Sequence, residues 1–247
     1  MTGTSEPPLR ITPDMLLSRR LDFERRMRRF PPVTAGIIGV LVLVFALELR
    51  LGALGSRAAI ITMGALVRER VAAGEVWRLL TAPLLHGGVE HLVGNAIALY
   101  ILGLVCEHAF GPGQLVLLYA ASGLAGSVAS LVTSAGPSVG ASGAIFGLQG
   151  AAIVLFRAQR ERLLLRDRRV GLVLLLWALF TVAGGLMDPY IDNGAHIGGA
   201  LGGALVARGL HPVVLSPLGG EQARRLRRRL WLVAALYAYT VLAWVRG

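Results

Sequence analysis

The chain has 247 residues, of which 55% are hydrophobic and only 16% are charged, whereas about a quarter of an ordinary soluble domain is charged. Residues 111–156 contain no Asp, Glu, Arg or His, although about 20 apolar residues suffice to cross a bilayer. This composition excludes an ordinary soluble domain and predicts an all-α polytopic membrane protein.

The net charge of +11 resides mainly in three arginine clusters that lie between apolar runs, at residues 19–29, 157–169 and 224–229. Basic clusters that flank apolar spans are retained on the cytoplasmic side of the membrane. The clusters therefore predict membrane topology and contact with anionic lipid headgroups, and no binding of nucleic acid.

Two residue counts exclude further kinds of chemistry. The chain contains no lysine, which excludes a Ser–Lys dyad, a Schiff base and a P-loop lysine. Its single cysteine, Cys106, excludes an internal disulfide and a multi-cysteine metal site. Cys106 lies in an apolar run and is interpreted as a small core residue.

Apolar runs bounded by charge or by Gly and Pro predict seven membrane spans. In chain order they cover residues 33–51, 89–108, 112–133, 142–157, 170–187, 194–208 and 230–245. The connection 52–88 is amphiphilic and predicts an interfacial loop instead of a further span. We expect a domain organisation of four parts: a basic cytoplasmic segment 1–31, a six-helix core 32–208, a basic cytoplasmic linker 209–229 and a seventh helix 230–247.

A cytoplasmic N-terminus places all three arginine clusters on the same side of the membrane, which supports this number of spans. Spans two, four and six then all enter from the outer face. The polar residues near their outer ends are therefore predicted to lie at similar depth: His91, Asn95, Ser142 and His196. Ionisable groups in a membrane are costly and indicate function, so we expect these side chains to form one site.

Ser142 begins span four within a Gly-Ala-Ser-Gly sequence, where helix N–H groups and the helix dipole favour a developing oxyanion. A serine in such a sequence is also compatible with a mere packing role. Spans four and six each carry small residues four apart, which let helix axes approach closely; they are Gly143, Gly147, Gly199 and Gly203. Close crossing of these spans predicts that the Ser142 hydroxyl and the His196 imidazole meet.

His91 and Asn95 are four residues apart and share a helix face, where both can donate hydrogen bonds to an oxyanion. His86, His91 and His196 also invite a zinc interpretation, but the ligand spacing is poor, and we expect no metal. Asp188 and Asp192 are the local carboxylates that could complete a triad with His196. They lie in a turn sequence, so a Ser–His dyad is favoured.

Four motifs, in this order, resemble those of the rhomboid family of intramembrane serine proteases. They are Glu75-Val-Trp77-Arg78, His86-(four residues)-His91-(three residues)-Asn95, Gly140-Ala-Ser142-Gly143 and Ala195-His196-Ile-Gly-Gly199-(three residues)-Gly203. The resemblance covers about residues 75–203 and implies a rhomboid-like six-helix bundle with a seventh C-terminal transmembrane helix.

The resemblance implies that Ser142 is the nucleophile and His196 the general base, with no aspartate required. It implies an oxyanion hole made of His91, Asn95 and the backbone N–H of Ser142. Phe146 takes the place of an aromatic residue that packs against the catalytic imidazole. The other matched positions are given structural roles: Trp77, Arg78, His86, Glu107, Gly143, Gly147, Gly199 and Gly203.

The implied function is an intramembrane serine endopeptidase that cleaves transmembrane segments of membrane proteins without a cofactor. The implied location is the cell membrane, with the N-terminus in the cytoplasm and the active site opening toward the outer face. The alternative is an inactive relative that binds and retains membrane clients. A transporter is disfavoured because its ion-binding groups would lie deep in the bundle.

Overall fold

The structure is a computed structural model that describes residues 20–25, 27, 30–134, 136–165, 170–187 and 191–246. Within these ranges the chain forms ten α-helices and one pair of two-residue strands. The helices are α1 (Pro32–Arg50), α2 (Arg57–Met63), α3 (Arg68–Ala72), α4 (Arg78–Thr81), α5 (Val89–Phe110), α6 (Pro112–Thr133), α7 (Ser142–Ala158), α8 (Val170–Met187), α9 (Asn193–Arg208) and α10 (Gly220–Arg246).

Each of the seven predicted spans is helical, and the bounds of the first six agree within two residues. Three helices, α1, α5 and α6, are long and apolar enough to cross a membrane by length and composition, and α7 is a shorter apolar helix. The last helix differs from the prediction because α10 begins at Gly220, ten residues before the predicted span. Its arginine-rich start has high helix propensity and contains an i,i+4 ion pair between Glu221 and Arg225.

The helix that begins at Ser142 lies at the centre of the bundle. α7 buries eleven of its seventeen residues and packs against α5, α6 and α9. A helix that is apolar on all sides is surrounded either by other helices or by lipid, and for α7 most of the surroundings are other helices. The core around it is formed by fully buried aliphatic side chains of three helices: Leu99, Leu102, Leu115, Leu118, Ile145 and Leu148.

Glycines allow α7 and α9 to touch backbone to backbone. A Cβ atom on Gly199 would lie 1.9 Å from the carbonyl oxygen of Gly143, and one on Gly203 would lie 2.1 Å from that of Gly147. Neither position tolerates a side chain without movement of a helix. The two small-residue stripes therefore bring the start of α9 directly beside the start of α7.

The connection between α1 and α5 folds into short helices around one buried arginine. Arg78 is 3% exposed, pairs with Glu75 and donates to the carbonyl oxygen of Ala65 over 2.9 Å. Its guanidinium also lies 4.5 Å from the centroid of the Trp77 ring. Burial raises the pKa of Glu75, but hydrogen bonds and charges from Arg78 and Arg70 lower it by more, so that the pKa falls below its ordinary value. The segment is thus a structured loop whose helices are too short to cross a membrane, and its interfacial position stays a prediction.

The start of α1 is fixed to the end of α5 by a carboxyl group. Glu107 accepts hydrogen bonds from the backbone N–H groups of Val33 (3.1 Å) and Thr34 (2.8 Å) and from the Thr34 hydroxyl (2.8 Å). It thereby satisfies N–H groups that a helix N-terminus leaves without partners.

Two contacts connect the ends of the chain with the bundle. Strand β1 (Leu21–Asp22) pairs in parallel with β2 (Leu163–Leu164), which follows α7. The next residue, Phe23, is 2% exposed and makes edge-to-face contacts with His108 and Phe156. At the other end, Trp244 of α10 packs against the apolar cluster of Ala53, Met63 and Leu85.

Candidate active site

Ser142 is the first residue of α7, and the chain approaches it through a turn that requires glycine. Gly140 has φ of +125°, a conformation that residues with a side chain rarely adopt. Its N–H donates to the carbonyl oxygen of Ala82 over 3.0 Å. The Oγ atom of Ser142 lies 2.9 Å from Nε2 of His196, within hydrogen-bonding distance.

His196 lies in the first turn of α9 and is 5% exposed. Asp192 caps this helix, because its Oδ1 accepts the N–H of Ala195 over 2.9 Å and its Oδ2 accepts the hydroxyl of Ser130. Nδ1 of His196 has no hydrogen-bond partner among the described residues. The Asp192 side chain is thus engaged in capping, and Asp188 lies outside the described residues.

Aromatic rings fix the plane of the imidazole. Phe146 stacks on His196 with ring centroids 4.3 Å apart and 9° between the planes. Phe146 also stacks on Trp177 of α8, with ring centroids 6.0 Å apart and 15° between the planes. Trp177 was not among the predicted site residues, and no local pattern indicates it, because its contact with Phe146 joins two helices.

His91 and Asn95 approach the same backbone segment that precedes Ser142. A Cβ atom on Gly140 would lie 2.6 Å from Cε1 and 2.8 Å from Nε2 of His91, and 3.7 Å from Nδ2 of Asn95. Asn95 is 7% exposed, and its Nδ2 donor has no partner in the described part of the chain. A buried donor without a partner is costly, so it is available to a group that binds beside Ser142.

The remaining predicted residues lie in the loop before α5, on α5 itself or just before it. Trp77 and Arg78 belong to the loop before α5, and Glu107 lies at the other end of α5, where it holds α1. The His86 ring is fully buried and makes an edge-to-face contact with His91 at 5.2 Å. Within the described ranges, no three His, Cys, Asp or Glu side chains are grouped to hold a metal ion.

The sequence analysis also missed Glu48. This residue is fully buried in α1, and its carboxyl oxygens accept the backbone N–H of His86 at 3.1 Å and 3.2 Å. A signal was present in the sequence, because an acidic residue within an apolar span is rare and marks a constrained position.

Known proteins match this chain over the region that carries the site. Residues 73–213 match the family described as the rhomboid domain. Rhomboid protease GluP of Bacillus subtilis (strain 168) is 36% identical over 194 residues, which cover 78% of this chain and 37% of that protein. RHOMBOID-like protein 5 of Arabidopsis thaliana is 41% identical over 145 residues, 57% of this chain and 46% of that protein.

A further relative, Inactive RHOMBOID-like protein 8 of Arabidopsis thaliana, is 37% identical over 129 residues, 51% of this chain and 35% of that protein. The chain spans less than half the length of each of these relatives. The family match covers more than half of the chain, and the apolar helices agree with a protein that crosses the membrane several times. The chain therefore belongs to the rhomboid family of multi-pass membrane proteins.

Proposed function

We propose that this protein is an intramembrane serine endopeptidase that cleaves transmembrane segments of membrane proteins with a Ser142–His196 dyad. The observation that carries the proposal is the 2.9 Å distance between Oγ of Ser142 and Nε2 of His196. A hydroxyl is a weak nucleophile until an adjacent base takes its proton, and this hydrogen bond supplies that base.

The reaction begins when Oγ of Ser142 attacks the scissile carbonyl carbon while Nε2 of His196 takes the hydroxyl proton. The carbonyl π electrons move to the oxygen, which becomes the oxyanion of a tetrahedral intermediate. As the peptide C–N bond breaks, His196 returns the proton to the leaving nitrogen. A water molecule, deprotonated by His196, then hydrolyses the acyl-enzyme and regenerates Ser142.

The oxyanion forms where donors converge. The backbone N–H of Ser142 lies at a helix N-terminus, where it has no intrahelical acceptor. The unpartnered Nδ2 of Asn95 and Nε2 of His91 flank the same turn. Such donors stabilise the transition state because they are fixed before charge develops. Phe146 supports the base by stacking on it.

We further propose the six-plus-one arrangement: a six-helix core at 32–208, a seventh span within α10, and basic cytoplasmic segments at 1–31 and 209–229. The three arginine clusters support a cytoplasmic N-terminus in the cell membrane, because they fall on one side of such a topology. The site then opens toward the outer face. Membrane lipids are the expected surroundings, and the reaction requires no metal.

A fluorophosphonate probe and a model transmembrane substrate, both in detergent, test the dyad. We expect Ser142→Ala and His196→Ala each to abolish cleavage, with the double variant no worse than either, because groups that act as a unit are non-additive. The probe should label the wild type and not Ser142→Ala. EDTA should have no effect.

Asp192→Asn is the matched control that separates a dyad from a triad. Asparagine caps a helix about as well as aspartate, so activity should stay within about tenfold of wild type, whereas a triad aspartate would cost about 10⁴-fold. Cleavage that survives Ser142→Ala would overturn the dyad. A chain that neither cleaves nor reacts with the probe would instead match the alternative, an inactive relative that binds and retains membrane clients.

A further inference from the structure

Glu48 is an acidic residue inside an otherwise apolar helix, and it is fully buried. Burial of a carboxyl group away from water is costly unless hydrogen bonds compensate it. Among the described residues no arginine forms an ion pair with Glu48. Its contacts are instead with the backbone N–H of His86, at 3.1 Å from Oε1 and 3.2 Å from Oε2. The Glu48 side chain therefore holds the backbone of the short segment that precedes α5.

That segment, residues 86–88, touches the proposed oxyanion donor. The N–H of Gly87 donates to Nδ1 of His91 over 3.4 Å, and the buried His86 ring lies edge-to-face against the His91 ring at 5.2 Å. One residue of the segment is thus held by Glu48, and the next residue contacts His91. Glycine at 87 and 88 gives the segment little stiffness of its own, so its position depends on an external anchor.

The contact with Gly87 favours one of the two neutral tautomers of the His91 imidazole. A nitrogen that accepts a hydrogen bond bears no hydrogen, so a neutral imidazole with Nδ1 as acceptor carries its proton on Nε2. Nε2, together with Cε1, lies on the side of the ring nearest the turn at Gly140, two residues before Ser142. The tautomer selected by Gly87 is therefore the one that can donate toward an oxyanion beside Ser142.

We propose that Glu48 is a positioning residue that anchors residues 86–88, so that the Gly87 N–H holds the His91 imidazole in the tautomer that donates from Nε2. The inference rests on the proposed function for its catalytic consequence, but the tautomer itself does not depend on catalysis. Glu48 touches no reacting atom and acts through His91.

Variants of Glu48 test whether it positions residues 86–88, because kcat and KM can be measured separately for each variant. Glu48→Leu has a similar size but accepts no hydrogen bond, and we expect kcat to fall about 10- to 100-fold with KM changed by less than about threefold, because the donor acts in the transition state. Glu48→Gln keeps one oxygen acceptor and should restore kcat to within about threefold of wild type. Glu48→Asp withdraws the carboxyl group and provides a second loss variant if Glu48→Leu folds poorly.

Phe45→Leu is a matched control, since Phe45 is buried on the same helix one turn away but takes no part in the hydrogen bonds and the ring contact described for residues 86–88. It should lower the melting temperature without lowering kcat. A second control is the His91→Ala background, in which Glu48→Leu should lower kcat by no more than about twofold further, because coupled residues are non-additive. Equal losses in both backgrounds would overturn the proposal.

¹⁵N spectra of histidine-labelled protein in detergent give a readout without catalysis. The two His91 nitrogens, assigned by their absence in His91→Ala, should appear in wild type as an acceptor Nδ1 and a protonated Nε2. In Glu48→Leu the two tautomers should mix, whereas Glu48→Gln should resemble wild type. An unchanged His91 tautomer in Glu48→Leu overturns the inference even if the protein cleaves substrate. A wild type that never cleaves would contradict the proposed function alone.

Discussion

The imidazole of His196 lies flat against the ring of Phe146, with centroids 4.3 Å apart and an angle of 9° between the planes. Trp177 also stacks on Phe146, so α7, α8 and α9 each contribute one ring. The stacking contact opposes tilting of the imidazole out of this plane. Within the plane, the hydrogen bond to Ser142 directs Nε2, since no hydrogen bond holds Nδ1 within the described chain.

Replacement of Phe146 should therefore lower catalysis through the orientation of His196. We expect Phe146→Leu to lower kcat about tenfold, because a misaligned imidazole transfers the proton less efficiently. Complete loss of general acid–base catalysis lowers the rate by about 10²- to 10⁴-fold. Phe146→Tyr keeps the ring and should remain within about threefold of wild type. The measurement is kcat on a model transmembrane substrate beside the rate of fluorophosphonate labelling. An unchanged kcat in Phe146→Leu would limit the ring to a packing role.

Asn95 should contribute to the transition state and little to substrate binding. Its Nδ2 is buried without a partner in the described chain, so we expect Asn95→Ala to lower kcat by about 10- to 1000-fold with KM almost unchanged. The probe should still label Ser142, though more slowly, because the dyad is intact. Val93→Ala, on the exposed side of α5, is the control and should be neutral. Normal turnover with a lowered melting temperature would assign Asn95 to helix packing.

The positions of most helices could be predicted from the sequence. An apolar run of about 20 residues is long enough to cross a membrane, and within lipid such a segment must be helical. Six predicted runs end within two residues of the observed helices. The start of α10 at Gly220 could not be predicted in this way, since charged residues with high helix propensity carry no apolar signal.

The residues of the candidate site could be predicted in part, and the contacts between them could not. Ser142, His196, His91 and Asn95 could be named from short motifs, but their distances depend on contacts between helices. Trp177 could not be predicted, because its contact with Phe146 joins two helices. Glu48 did carry a signal, as an acidic residue within an apolar span, but its partner His86 could not be predicted because it lies 38 residues away in the chain. The catalytic roles remain predictions that the proposed experiments address.

The membrane topology can be measured with reporters that are active on one side only. A reporter fused after residue 165, within the second arginine cluster, should report the cytoplasm, because arginine-rich loops are retained there. One fused after Gly247 should report the outer side if α10 provides a seventh span. Reporters at both positions must be compared with a fusion after residue 31 as the cytoplasmic reference. A cytoplasmic signal after Gly247 would contradict the seven-span proposal.

The close approach of α7 and α9 gives the sharpest test of how the fold serves the dyad. A Cβ atom on Gly199 would lie 1.9 Å from the carbonyl oxygen of Gly143, so Gly199→Ala must push the two helices apart. Such overpacking costs about 1–3 kcal/mol, and it moves His196, one turn away, relative to Ser142. We expect a lower melting temperature together with a fall in kcat of at least about tenfold, measured on the folded fraction.

Two glycine variants serve as controls for this prediction. Gly39→Ala lies on α1 with no atom within 4 Å of the added Cβ, and it should preserve kcat and keep or raise the melting temperature, because alanine favours a helix by about 1 kcal/mol over glycine. Gly203→Ala meets the carbonyl oxygen of Gly147 at 2.1 Å, but it lies one turn further from His196. It should destabilise the protein as much as Gly199→Ala while lowering kcat less. Equal losses of kcat in both variants would mean that the spacing of the helices as a whole, and not the local distance between Ser142 and His196, limits the reaction.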